Sequence, residues 1–96
     1  MRGSAKLYGL VITQQAIDNL ERIPLKIRAQ LIKRAKALIL NPKPQGSIML
    51  KGTTTKEGDP VYRQRSGDYR IIYIVKDKPT AEVVVLDIDN RKDVYR

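Results

Sequence analysis

Histidine and cysteine are both missing from this 96-residue chain. Without cysteine there is neither a disulfide framework nor a thiolate zinc site, and without histidine the commonest remaining metal ligand and the usual near-neutral acid–base group are gone too. The expectation is a protein with no metal and no cofactor. Long apolar runs are missing as well: none is long enough to span a bilayer, and the N-terminus lacks the apolar core of a secretory signal. A cytoplasmic protein with no membrane partner is expected. Acidic residues are few, 10 Asp+Glu against 19 Lys+Arg, which leaves a formal charge of +9 and a pI near 10.0. An excess of this size points to an anionic partner, nucleic acid first.

The length fits one domain over residues 1–96 with a modest core. Met1-Arg2-Gly3-Ser4 reads as a frayed or appended leader and carries no weight. The charge is uneven: residues 1–60 hold 11 Lys+Arg against 4 Asp+Glu, a net of +7, and residues 61–96 hold 8 against 6, a net of +2.

Lys6 to Ile12 reads as a first strand, with Thr13 ending it and able to cap a helix begun by the next residues. Gln14 to Arg22 has Ala16, Ile17 and Leu20 at helical spacing, and Pro24 suits the first turn of a second helix. From Leu25 to Leu40 the apolar positions Ile27, Leu31, Ala35, Leu38 and Ile39 form one amphipathic stripe, closed by Asn41-Pro42. On that helix Lys26, Arg28, Lys33, Arg34 and Lys36 have no acidic neighbours, so its exposed side is a solvated face or a surface for a phosphate backbone, with a membrane-surface helix disfavoured because the apolar face is needed for the core. Residues 41–60 read as loop, with a short strand possible at Ile48-Met49-Leu50. Three strands come next, Val61 to Arg65, Tyr69 to Val75 and Glu82 to Ile88, separated by turn compositions at Ser66-Gly67-Asp68 and at 76–80. Alternation puts Arg63 with Arg65 on one face, and Arg70 with Ile72 and Ile74 on one face of the next strand. Tyr69 and Tyr73 fall opposite Arg70 and, like Tyr62, read as structural. The expected fold class is α+β, a β-α-α-β-β-β order with a twisted antiparallel sheet and two N-terminal helices packed on one face.

That element order, Asn41-Pro42 after the long helix, Leu50-Lys51-Gly52, the block Tyr62-Arg63-x-Arg65-x-Gly67-Asp68-Tyr69-Arg70-x-x-Tyr73 and the terminal Arg91-Lys92-Asp93-Val94-Tyr95 together resemble the RelE branch of the RelE/ParE toxin superfamily. Each piece alone is a weak signal; all of them in order, from about Leu7 to Tyr95, are specific. The resemblance implies a toxin of a type II toxin–antitoxin pair, an endoribonuclease that enters the A site of the 70S ribosome and cuts mRNA there. The implied reaction is attack of a ribose 2′-hydroxyl on the adjacent phosphate, leaving a 2′,3′-cyclic phosphate. The implied partners are the ribosome, mRNA and a small acidic antitoxin that orders on binding, a chemistry that suits so basic a surface.

Such chemistry needs a base, positive donors for charge growing on phosphate oxygens, and help for the departing oxygen. By the resemblance Arg70 binds the transition-state phosphate through its planar fork. The alternative for Arg70 is an ion pair with Asp68 or Asp87. Arg91 stands beside the scissile phosphate or leaving oxygen, or else pairs with Asp89 or Asp93. Tyr95 stacks on a base or contacts the 2′-hydroxyl, or else closes the edge of the core. Lys51, Arg63 and Arg65, with Lys26, Lys33 and Arg34 on the helix, are the expected RNA and ribosome contacts. Asn90 departs from the pattern, because many relatives carry histidine or lysine before the arginine, and asparagine does not titrate in water. Tyr95, Lys51, Asp89 and Glu57 stay open as bases. Two other readings go with the resemblance: a ParE-like inhibitor of DNA gyrase, and a weakly active homologue that only binds its antitoxin.

Overall fold

The computed structural model describes residues 7–90. The elements run β1 (Gly9–Ile12), α1 (Gln14–Glu21), α2 (Leu25–Ala37), β2 (Ile48–Thr54), β3 (Pro60–Ser66), β4 (Tyr69–Lys76) and β5 (Glu82–Asn90). The five strands form one sheet in the order β1-β5-β4-β3-β2. The fold is α+β as expected, with two differences. The sheet is mixed: β2 to β5 form an antiparallel meander, while β1 lies parallel to β5, Gly9 opposite Glu82 and Ile12 opposite Val85. A parallel pair needs a long crossover between its strands, and everything from α1 to β4 serves as one here. There are also four strands after the helices, because β2 runs past Leu50 to Thr54. It is an edge strand with almost no burial on either face, so it has no apolar alternation to betray it. Its pairing with β3 is interrupted between Met49 and Thr54, where Gly52 takes a positive φ of 74°.

One face of the sheet carries the core. Leu31, Ala35 and Leu38 of the α2 stripe are buried, with Ala16 and Leu20 of α1, against Ile71, Tyr73, Val83, Val85 and Ile88 of the sheet. Ile27 and Ile39, the ends of the expected stripe, are half-buried. The helix ends at Ala37 rather than Leu40 by tightening: Leu38, Ile39 and Leu40 donate to the carbonyls of Ala35, Lys36 and Ala37 three residues back. Arg28 is not part of the free basic surface. Its guanidinium donates to the Ile23 and Glu21 carbonyls at the end of α1, where a cation favours the helix dipole.

Thr13 joins three elements. Its Oγ1 accepts from the Ala16 N–H at 3.3 Å, capping α1, and donates to the Leu86 carbonyl at 2.8 Å, while its own N–H donates to Val85. Leu86 is the extra residue of a β-bulge: Tyr73 stands opposite Val85, but Ile72 stands opposite Asp87. The carbonyl that the bulge takes out of the ladder is therefore supplied with a donor by the cap residue. Thr13→Ala is expected to lower unfolding free energy by about 1–2 kcal/mol, from the lost cap and the orphaned carbonyl, whereas Thr13→Ser should keep most of it. Urea unfolding of the three proteins checks this.

Tyr73 fastens the segment after α2. The ring is fully buried, stacks on Tyr62 with centroids 5.8 Å apart, and its hydroxyl donates to the Pro42 carbonyl at 2.7 Å. Burial pushes its phenol above the usual 10.0; a hydrogen bond with Ser47 pulls the other way, and Tyr62 adds to the rise. The fold thus favours the neutral phenol, so this stability is fully present below the unfolded value of 10.0 and is lost as pH rises through the folded one. In an ultraviolet phenolate titration one of the five tyrosines should ionise late and together with unfolding. Tyr73→Phe should remove that step.

Candidate nucleic-acid interface

The β3–β4 hairpin positions the arginines. Ser66 pairs with Tyr69, leaving the two-residue loop Gly67-Asp68, and Gly67 takes a φ of 61° at the position where that tight turn needs glycine. This turn fixes the register: Arg65 lies opposite Arg70, and Arg63 opposite Ile72. Residues directly opposite share a face, their Cβ atoms about 5 Å apart. Gln64, between the two β3 arginines, is buried on the other face opposite Ile71. Arg63, Arg65 and Arg70 therefore share the sheet face away from the helices, at the hairpin end.

Arg70 is held by β5. The bulge at Leu86 shifts the register by one residue, so that Asp89 rather than Ile88 stands opposite Arg70. The Arg70 Nε donates to Asp89 Oδ1 at 3.0 Å and its Nη2 to Oδ2 at 3.1 Å, a side-on bidentate pair. The two side chains are 19% and 29% exposed. Asp89 is not among the expected partners of Arg70, which are Asp68 and Asp87. Asp87 accepts instead from the Asn19 amide on α1 and from the Ile88 N–H. Sequence reasoning missed the Arg70–Asp89 pair because the hairpin alone fixes β3 against β4, and the bulge that sets β5 has no sequence signature.

The remaining candidates are dispersed. Lys51 is exposed on β2, between the Met49–Tyr62 and Thr54–Pro60 pairs, toward the end of the sheet opposite Arg70. Glu57 lies beyond it in the β2–β3 turn, so neither meets Arg70 in the role of base. Lys26, Lys33 and Arg34 are exposed on α2, on the helical side of the sheet. Lys33 and Arg34 line a groove of about 390 Å³ with Gln30, Ala37 and Ser66, next to the hairpin. Asn90 pairs with Tyr69 and by alternation faces the helices, lining a cleft of about 310 Å³ with Asn19, Arg22, Ile23, Tyr69, Ile88 and Asp89. Arg91 and Tyr95 lie outside the described residues. Among the described residues no group of three or more His, Cys, Asp or Glu is placed to hold a metal ion, and no helix is long and apolar enough to cross a membrane.

Arg63, Arg65 and Arg70 bring three guanidiniums to one face, and a guanidinium is the side-chain group whose forked donors match phosphate oxygens in pairs. Residues 10–95 match the family described as ParE toxin of type II toxin-antitoxin system, parDE. The fold is similar to the toxin–antitoxin complex RelBE2 from Mycobacterium tuberculosis, with a TM-score of 0.73 and 26% identity over 92% of this chain and 95% of that one. It is similar to the archaeal RelE–RelB complex from Pyrococcus horikoshii, with a TM-score of 0.72 and 30% identity over 88% and 96%. The isolated RelE toxin of E. coli, at 23% identity over 92% and 90%, shares the fold with a TM-score of 0.70. No curated protein sequence gives a significant match.

Proposed function

Because this chain belongs to the RelE/ParE toxin superfamily and is a toxin of the type II toxin–antitoxin class, we propose that it is a ribosome-dependent endoribonuclease that cuts mRNA in the A site. The observation that carries this reading is the arginine face, with Arg63, Arg65 and Arg70 together and the Arg70 fork held in one plane. Arg70 binds the reacting phosphate and meets the charge that grows on its oxygens as the 2′-hydroxyl attacks. Arg65 and Arg63 hold the flanking backbone, with Lys33, Arg34, Lys26 and Lys51 as outlying contacts to RNA or ribosome. Arg91, one residue beyond β5 in the chain, neutralises the leaving oxygen, and Tyr95 stacks on a base or meets the 2′-hydroxyl. An arginine gives up a proton too reluctantly to serve as an easy acid, so its contribution is electrostatic. The ribosome supplies alignment of the message and makes the encounter effectively intramolecular.

The partner that silences it is an acidic antitoxin. Two of the similar structures are toxin–antitoxin complexes, and a chain of charge +9 favours an acidic segment that orders on binding. The test of the nuclease is the message itself. In a purified translation system, wild-type protein should cut the A-site codon to leave a 2′,3′-cyclic phosphate, and an mRNA with a 2′-deoxynucleotide at that position should stay whole. Cutting of the deoxy message would sink the 2′-hydroxyl mechanism.

A second reading has one observation in its favour, the match over residues 10–95 to the ParE family. By that reading the protein inhibits DNA gyrase and leaves RNA intact. A supercoiling assay without ribosomes separates the two: inhibition of gyrase with an uncut message supports the second and removes the first.

A further inference from the structure

We propose that the groove between α2 and the end of β3, on the helical side of the sheet, is a nucleotide site that seats one ribonucleotide with its phosphate on Lys33 and Arg34. It deepens the reading of those two residues as RNA contacts and is independent of where, or whether, the message is cut. Two elements build its walls. Gln30, Lys33, Arg34 and Ala37 recur at i, i+3, i+4 and i+7 and so share one side of α2, and Ser66, the last residue of β3, closes the groove. The space of about 390 Å³ is in the range of small-ligand pockets.

The lining carries two kinds of polar group. Lys33 and Arg34 are exposed and, among the described residues, neither has a carboxylate partner. Their charge is available to a phosphate, which a chain of net charge +9 already attracts. A bare anion would need nothing more. Gln30 and Ser66 each add a donor and an acceptor, the two-way groups that read ribose hydroxyls and base edges, and the Arg34 guanidinium has a plane on which a base can stack.

Gln64 supplies a second observation. It is two residues before Ser66 on β3 and faces the same way, yet it is only 5% exposed, and its buried Oε1 has no hydrogen-bond partner among the described residues. An unpaired buried acceptor is destabilising, and an apolar side chain of similar length would remove that penalty. A carboxamide kept there is explained by a donor that arrives with a ligand: a base amino group or ribose hydroxyl inserted past Ser66, or a water held between them. Ser66 is also next to Arg65, which stands on the other face. An RNA strand leaving the arginine face at the hairpin end rounds Ser66 into the groove, which favours a nucleotide of an RNA chain over a free one.

Nuclear magnetic resonance of the isolated toxin tests this without a ribosome. Backbone amide shifts would be followed in titrations with inorganic phosphate, each ribonucleoside 5′-monophosphate, a short single-stranded RNA and an oligoglutamate peptide. The proteins would be wild type, Gln64→Met and the Lys33→Gln, Arg34→Gln double variant. At least one monophosphate should shift the groove residues with an affinity about tenfold above that of phosphate, the effect of one or two further hydrogen bonds. The double variant should weaken that ligand about tenfold or more. Gln64→Met should weaken it about 3- to 10-fold while unfolding in urea at a midpoint equal to or above wild type, a combination that loss of structure does not give. RNA that binds more tightly than the monophosphate through the same shifts assigns the groove to a strand; equal affinity assigns it to a free nucleotide.

Phosphate binding as tightly as every monophosphate would reduce the groove to a basic patch and overturn the inference. So would nucleotide shifts confined to the arginine face, or an oligoglutamate peptide that fills the groove when no nucleotide does. Wild-type affinity in Gln64→Met would overturn the part given to the buried amide. A message left whole in the translation system, beside a groove that binds nucleotide, means that the nuclease reading has failed while the site stands.

Discussion

Replacing Arg70 with alanine should lower the rate of A-site cleavage by about 10²–10³-fold, the loss seen when one preorganised donor to a developing oxyanion is removed. The fold should survive, since Arg70 is on the sheet face opposite the core, and its cross-strand neighbours Arg65 and Asp89 reach solvent. Thermal unfolding of Arg70→Ala beside wild type separates loss of chemistry from loss of structure. Arg70→Lys is the more exacting variant. It keeps the charge but has no planar fork, and should fall nearly as far. Arg65→Ala, which removes an exposed cation proposed to hold the RNA backbone, should instead weaken binding and flatten its dependence on salt while leaving the maximal rate largely intact. If Arg70→Ala cuts at the wild-type rate, the arginine face is not the reacting site.

The legibility of the sequence varies with how local the controlling physics is. The α2 stripe was readable because Leu31, Ala35 and Leu38 recur at helical spacing and all three are buried. The hairpin was readable because Ser66-Gly67-Asp68 admits few turns, and it carried the placement of Arg65 beside Arg70 with it. The parallel placement of β1 was not readable, because a pairing of residues 9–12 with 82–85 is decided by how the helices pack, far from either strand. β2 was half hidden for the opposite reason: an edge strand exposed on both faces lacks the alternation that marks strands.

The partner of Arg70 illustrates the limit most sharply. Asp89 stands opposite the guanidinium and pairs with it because one extra residue at Leu86 resets the register, which no local pattern announces. Val85 and Ile88, three apart, can then both face the core. The bulge thus settles the core and the site together, with Thr13 tying it to the start of α1.

Leu31→Ala should have the opposite profile to Arg70→Ala. Leu31 is completely buried in the middle of α2, in the cluster between the helices and the sheet. Truncating it removes apolar surface from the core and leaves a cavity that rigid neighbours such as Ile71 and Tyr73 close only in part, at a cost of about 2–5 kcal/mol. For a domain whose whole stability is on the order of 5–15 kcal/mol, that is a large fraction. Denaturant unfolding should show a midpoint shifted sharply down with an unchanged slope. The exposed Leu25 in the first turn of the same helix provides the contrast, since Leu25→Ala should change stability by about 0.5 kcal/mol or less. At a temperature where Leu31→Ala is still folded, its cleavage rate per folded molecule should match wild type, because the arginines stand on the other face of the sheet. A Leu31→Ala protein that is folded but slow would show that the two faces are coupled through the sheet, and that the Arg70–Asp89 geometry depends on how tightly the helices pack behind it.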